Sequence, residues 1–207
     1  IIMLELYIIR HGKTIWNAEH KIQGSADIRL TEEGRETAQL TQKAWMSMGL
    51  CFDAVYSSPL QRAYETACIL TAHMPGIKIR KDDRLKELCF GALEGQSFDH
   101  IKDPQFDPEH GCFFTKPQCY VTPENGESLE DICIRAGHFL EDLFKQHTAG
   151  RILVVAHGTL NKALLKVLLK RKISQFWDGS LQKNCGTAII KIDQGLCQVI
   201  DEGRIYY

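Results

Sequence analysis

Short apolar runs alternate with amphipathic stretches along this chain. Leu4-Glu5-Leu6-Tyr7-Ile8-Ile9 stops at Arg10-His11-Gly12, and Ile152-Leu153-Val154-Val155-Ala156 stops at His157-Gly158. Unbroken apolar runs of this length belong to strands buried on both faces of a parallel sheet. Ala54-Val55-Tyr56 and Ile77 to Ile79 read as two further short strands. Residues 128–146 set Leu129, Ile132, Cys133, Ala136, Phe139, Leu140, Leu143 and Phe144 on one helical stripe. A second stripe after Gly158 carries Leu160, Leu164, Val167 and Leu168. Thr31 before Glu32 and Glu33 marks a helix start with acids on the positive end of the dipole, and Gly49 after Met48 is its C′ residue. Ser58, Pro59 and Gln61 predict a capping box with Ser58 as N-cap. Thr187 to Ile192 and Leu196 to Ile200, split by Asp193-Gln194-Gly195, predict a closing hairpin. Strands alternating with helices in this way predict an α/β fold, a three-layer α/β/α sandwich around a mainly parallel sheet.

One stretch breaks the rhythm. Residues 91–127 hold prolines 104, 108, 117 and 123 together with Phe98, Phe106, Phe113, Phe114 and Tyr120. A long irregular segment this aromatic reads as a cover over a site rather than a disordered linker. The expectation is a single domain over residues 1–207 with a cap-like insertion at about 91–127.

Composition narrows the function classes. A chain of 207 residues suits one domain, and 44% hydrophobic with 25% charged residues excludes collagen-like and disordered classes. The net charge of −1 offers no global field for nucleic acid or an anionic membrane, so an anionic ligand has to be met by a local cluster of cations. No apolar run approaches the ~20 residues of a membrane span, and Ile1 to Leu6 carry no marks of a secretory leader. Eight cysteines without a C-x-x-C pair read as small buried hydrophobes in a reducing cytoplasm.

In parallel sheets, ligands bind beyond the carboxyl ends of the strands. The first strand delivers Arg10 and His11 there, the second leads to Ser58 and Arg62, the central one delivers His157, and Glu87 follows the third. Each has a plainer explanation by itself: a capping or core histidine, a solvated arginine, a surface carboxylate. Two arginines, two histidines and a carboxylate on one rim together suit a phosphoryl group, because guanidinium binds phosphate oxygens bidentately. Helix N-termini after Gly12, Ser58 and Gly158 are expected to add free N–H donors.

Arg10-His11-Gly12-Lys13-Thr14-Ile15-Trp16-Asn17 resembles the R-H-G-x-T-x-x-N signature of the histidine phosphatase superfamily, in its phosphoglycerate mutase-like branch. Gln23-Gly24, Asp27, Leu30-Thr31 and Gly34 continue the resemblance. So do Val55 to Ala63 with Thr66-Ala67, then Leu85, Glu87, Gly91 and Glu94-Gly95, then Gly126-Glu127-Ser128 and Val154 to Gly158. The resemblance implies a phosphoglycerate mutase-like fold and a metal-independent phosphatase for small phosphomonoesters. It implies His11 as the nucleophile that becomes phosphohistidine, Arg10, Arg62 and His157 as holders of the phosphoryl oxygens, and Glu87 as acid and then base. Asn17 would add a phosphate donor, Gln23-Gly24 would line the mouth, and Gly158 would contribute through its helix end. It implies no cofactor and no metal, with a small phosphorylated metabolite as partner and neither nucleic acid nor membrane; the oligomeric state stays open, a homodimer included. Arginines should depress the pKa of His11, and a covered site or a substrate dianion should raise that of Glu87, for a mildly acidic to neutral optimum.

The chain departs from the family pattern at Lys162, where an arginine is usual, and at Thr37, where glutamine is common. Lys162 is expected at the surface or facing the cover, and Thr37 is read as structural. Asp99, His100, Asp103, Asp107 and His110 fit no recognised metal spacing, and no G-x-S-x-G elbow surrounds Ser57 or Ser58. His20, His73, His138 and His147 carry no partner signal. Residues 91–127 offer Lys102 and Lys116 against seven acids, which suits one phosphoryl group on an apolar or neutral body. That favours a phosphatase over the alternative, a cofactor-dependent phosphoglycerate mutase. A binding domain without catalysis is ranked lower, since His11, Arg62, Glu87 and His157 are all present.

Overall fold

A computed structural model describes residues 3–207; Ile1 and Ile2, on which the reading of the leader partly falls, lie outside the described residues. In chain order the elements are β1 (Leu4–Arg10), α1 (Ile15–Ala18), α2 (Glu32–Ser47), β2 (Ala54–Ser57), α3 (Gln61–Thr71) and β3 (Ile79–Lys81). Then follow α4 (Asp99–Lys102), α5 (Leu129–Gln146), β4 (Gly150–Ala156), α6 (Gly158–Leu168), β5 (Thr187–Asp193) and β6 (Leu196–Arg204). The sheet runs β3-β2-β4-β1-β5-β6. The first four of these strands are parallel, and β5 and β6 close the edge antiparallel.

The unbroken apolar runs are explained by two cores. Side chains alternate across a strand, so Leu6, Ile8, Ile152 and Val154 pack with α5 and α6, while Ile9, Val55, Leu153 and Val155 pack with α2 and α3. Helices therefore cover both faces, as the alternation predicted. Thr31 caps α2 by accepting from Gly34 N at 3.0 Å, and Ser128 opens α5 with a capping box to Asp131. The hairpin turn is Gln194-Gly195, both at positive φ (48° and 79°), the two-residue geometry that matches strand twist.

Three expectations need correction. Helix α3 starts at Gln61 with Leu60 as N-cap and no side-chain cap, because Ser58 faces another partner described below. Strand β3 begins at Ile79, since Ile77 is still in the turn that returns its N–H to Met74 O. Of the cysteines only Cys185 is buried; Cys51, Cys68 and Cys119 are exposed, and none is paired among the described residues.

Residues 91–127 contain only α4 and short 3-10 turns. Rings hold this segment together. Phe113, 1% exposed, has ring centroids within 5.4 Å of Phe90, Phe114, Tyr120 and Trp177. Phe106, in contrast, is exposed.

Candidate active site

Strand order creates the site. β2, β4 and β1 are neighbours and parallel, so their carboxyl ends lie side by side. The ladders continue one residue past each end, with His11 N donating to Ala156 O and Ser58 N to Val155 O, both at 3.0 Å. Arg10-His11, Ser58 and His157 thereby meet on one rim.

The hydrogen bonds fix the tautomers of both histidines. His11 Nδ1 lies 2.7 Å from Gly12 O, an acceptor, so Nδ1 carries the proton and Nε2 keeps its lone pair. His157 Nε2 lies 2.8 Å from Ser58 Oγ, which also accepts from Leu60 N at 3.3 Å. His157 Nε2 is the nearest acceptor to the Ser58 hydroxyl, so the O–H is assigned to Nε2 and the His157 proton to Nδ1, which is buried without a partner. The two rings stand 5.2 Å apart. Burial, then the charge of Arg62, pulls both imidazoles well below the ordinary histidine range, with Arg10 acting the same way. Both are neutral at neutral pH.

The arginines are aimed by backbone carbonyls. Arg62, fully buried, donates from Nη1 to Ala26 O (2.6 Å) and from Nη2 to Gly24 O (2.8 Å). Arg10 Nη1 donates to Gln182 O at 2.9 Å. In each guanidinium Nε is buried and unpartnered. Burial brings Arg62 down to about 10 against the opposing pull of Glu87 and Asp27, which still leaves it charged. Gly24 sits at φ +52°, and a Cβ there would run into Glu94, whose carboxylate is tied to Ser25 N and Phe90 N. Asn17 Oδ1 accepts from Thr14 N and Asn184 Nδ2, while the Thr14 hydroxyl donates to Gln23 Oε1 at 2.8 Å, which leaves Asn17 Nδ2 as its free donor.

Glu87 corrects the expectation about helix ends. Its carboxylate accepts from Leu88 N (2.9 Å), Leu160 N (3.0 Å) and Thr159 N (3.2 Å). Two N–H groups at the N-terminus of α6 are therefore occupied by Glu87 rather than free for an anion. Gly12 N is likewise taken by Thr66 Oγ1 and Gln61 N by Asp27 Oδ1. Every one of these contacts to Glu87 is with a donor, which fixes the direction of its carboxylate. The segment bearing Glu87 is gripped from behind by Arg135, a residue no sequence motif flagged. Arg135 donates to the carbonyls of Arg84, Lys86 and Glu87 (2.6, 2.6 and 3.0 Å) and pairs with Glu127 at 2.6 Å.

Residues 6–202 match the sequence profile of the histidine phosphatase superfamily, branch 1. The chain belongs to that superfamily. It is 35% identical over 161 residues to phosphoglycerate mutase-like protein 4 of Arabidopsis thaliana, covering 77% of this chain and 69% of that one. It is 31% identical over 175 residues to phosphoserine phosphatase 1 of Hydrogenobacter thermophilus, covering 84% and 81%. The solved structure of Bacillus stearothermophilus YhfR superposes with a TM-score of 0.87 at 32% identity, covering 98% of each chain.

Within this histidine phosphatase, Arg10, His11, Asn17, Gln23, Gly24, Arg62, Glu87 and Gly158 all line one cavity of about 200 Å³. His157 is fully buried beside His11, its ring centroid 5.2 Å away, and Gly158 next to it lines the cavity. Sequence reasoning missed Ser58's contact with His157, Gln182 holding Arg10, and the aromatic wall contributed by Phe90 and Trp177. His20, given no role, is also part of the lining. Lys162 is not at the surface: it is 2% exposed and donates to Asp178 O at 2.7 Å, away from the cavity wall. Thr37 hydrogen-bonds its own helix at Glu33 O. No group of three or more His, Cys, Asp or Glu side chains poised for a metal ion occurs among the described residues. His100 and His110 instead both bond Asp107.

Proposed function

We propose that this chain is a phosphatase of small phosphomonoesters that works through a phosphohistidine on His11. The observation that carries the reading is a neutral His11 with its Nε2 lone pair free, beside buried N–H groups of Arg10, Arg62 and His157 that no protein atom accepts. A buried unmet donor costs about 1–3 kcal/mol, and phosphoryl oxygens would satisfy these. Nε2 attacks phosphorus in line, and the P–O bond to the ester breaks as the P–N bond forms. Glu87, as the carboxylic acid, gives its proton to the departing oxygen and is left as the carboxylate. Glu87 then takes a proton from water as that water displaces His11 and releases phosphate. Arg10, Arg62, Asn17 and His157 hold the equatorial oxygens throughout, with Gln23, Gly24 and Gly158 shaping the mouth.

We assign residues 1–207 to one domain with 91–127 as its cap, and place the enzyme in the cytoplasm with a small phosphorylated metabolite as substrate. Among the described residues no helix is long and apolar enough to cross a membrane. A cofactor-dependent phosphoglycerate mutase is the alternative, carried by the names of relatives such as the Arabidopsis protein. A mutase needs cations for a second anionic group, and Lys21, the lining cation beyond Arg10 and Arg62, is paired with Glu19 at 2.8 Å.

The test is phosphate release in EDTA from p-nitrophenyl phosphate and 3-phosphoglycerate, for wild type and His11→Ala. Release that falls about 10⁴-fold or more in the variant is expected. Isomerisation of 3-phosphoglycerate only when 2,3-bisphosphoglycerate is added, with no release, would establish the mutase instead.

A further inference from the structure

The cavity has a second end that the chemistry above does not use. Its lining there is Phe90, Phe98, Phe113, Phe114 and Trp177, together with Ile101. The rings brace one another: Phe114 lies 4.6 Å from Trp177 and 5.6 Å from Phe98, and Phe113 lies 5.0 Å from Trp177. Trp177 spends its polar handle internally, donating Nε1–H to Phe113 O at 2.6 Å, so it shows only apolar surface to the cavity.

The acids that dominate the composition of the cover are turned to other work. Asp107 holds His100 and His110, Glu127 holds Arg135, Glu94 caps backbone N–H groups of Ser25 and Phe90, and Asp99 bonds Ser97. None of these four lines the cavity. An ammonium or carboxylate on the substrate body would find no partner among these rings, Lys21 elsewhere in the lining being held by Glu19 at 2.8 Å, and burying an unpaired charge is costly. Size sets a further bound. An apolar cavity of about 150 Å³ accepts one benzene-sized ring. The roughly 200 Å³ here has room for a phosphoryl group and one ring.

We propose that the substrate's body is a single flat apolar group, about one aromatic ring in size, carrying no charge besides the phosphoryl group. This rests on the phosphatase reading for turnover but not for binding. Edge-to-face contact with braced rings favours an aromatic body over an aliphatic one of equal length.

The test separates binding from turnover and keeps the leaving group constant. Calorimetry on the wild-type protein compares 2-phenylethylphosphonate, propylphosphonate and 2-amino-4-phosphonobutanoate, which lack a cleavable ester. Turnover compares 2-phenylethyl phosphate, propyl phosphate and phosphoserine, all esters of primary alcohols. The phenylethyl compound is expected to bind about 30-fold tighter than the propyl one, from buried ring area and aromatic contact, with the amino acid weakest. Phe114→Leu should shrink the phenylethyl-to-propyl ratio several-fold. Equal binding of the three, or preference for the amino acid, overturns the proposal even if all the esters are hydrolysed. Preferential binding of the aromatic phosphonate with no turnover of any ester leaves this proposal standing and sinks the phosphatase reading.

Discussion

The phosphoryl end of the cavity and its aromatic end are held by different means. At the phosphoryl end the side chains hang from the ends of parallel strands or the first turns of helices, Glu87 alone from a loop after a 3-10 turn. Their orientations are then fixed by backbone partners: Gly12 O for His11, Gly24 O and Ala26 O for Arg62, the α6 N–H groups for Glu87. At the aromatic end there is little regular structure, and rings position rings. Hydrogen bonds fix direction to within tenths of an ångström, whereas apolar packing tolerates exchange of shape at small cost. The difference teaches that reaction and selectivity can vary separately: damage to the first end should lower turnover of every ester, and damage to the second should change only the order of preference.

The largest expected break lies at Arg62. Arg62→Met removes a charge that stabilises the transferring phosphoryl group, and losses of about 10²–10³ in kcat follow from deleting one such donor. Steady-state phosphate release should show this loss equally for phenylethyl, propyl and p-nitrophenyl esters. A variant that instead changed the ranking of the esters would erase the distinction between the two ends.

Arg135 sharpens the comparison, because it belongs to the phosphoryl end without touching substrate. It positions Glu87 through three carbonyls, so Arg135→Met should impair protonation of the leaving oxygen. Alkyl esters need that proton, and p-nitrophenolate leaves without it. We expect kcat to fall about 10–100-fold on propyl phosphate and only a few-fold on p-nitrophenyl phosphate, the scale of general acid catalysis. Glu87→Gln should show the same split. Equal losses on both esters would mean that Arg135 serves stability alone.

The two ends also differed in how far they could be read in advance. Arg10, His11, Arg62 and His157 are legible because each ends or follows a strand or opens a helix within a short recognisable motif; Glu87 is legible from its motif alone, since a 3-10 turn separates it from β3. Their placement on one rim follows from a parallel sheet. What stayed hidden depends on partners far along the chain. Ser58 meets His157 across 99 positions, Leu160 N reaches Glu87 across 73, and Arg135 reaches Glu87 across 48. Local pattern made Ser58 a helix cap and the α6 N–H groups free donors; tertiary neighbours claimed both. The local pattern around Lys162 points to the surface or the cover, yet Asp178 O and Glu202 satisfy it inside. The aromatic character of 91–127 was visible, but its use as a wall required Trp177, far outside that segment.

The smallest effect separates the two ends by pH. His11 and His157 are buried and held well below the ordinary histidine range, first by burial and then by Arg62. In the unfolded chain each takes up a proton near pH ~6.5. Below that pH the unfolded state binds more protons, so the phosphoryl end loses stability as pH falls, by up to about 1.4 kcal/mol per pH unit for each histidine. Above pH ~7 both states are neutral and the contribution is flat. The aromatic end follows another window. Burial would raise the carboxyl of Asp107, but the bonds from His100 and His110 outweigh it and hold that carboxyl below the usual range. Its stabilisation is therefore complete above the unfolded value near ~4 and is lost only in stronger acid. Urea unfolding at pH 7.5 and pH 5.5 reads the contrast. Wild type should lose stability over this interval, His11→Ala should lose about 1 kcal/mol less, and Asp107→Asn should be weaker at both pH values with the wild-type difference between them. If His11→Ala kept the full wild-type difference, the neutral, buried His11 on which the in-line attack depends would no longer stand.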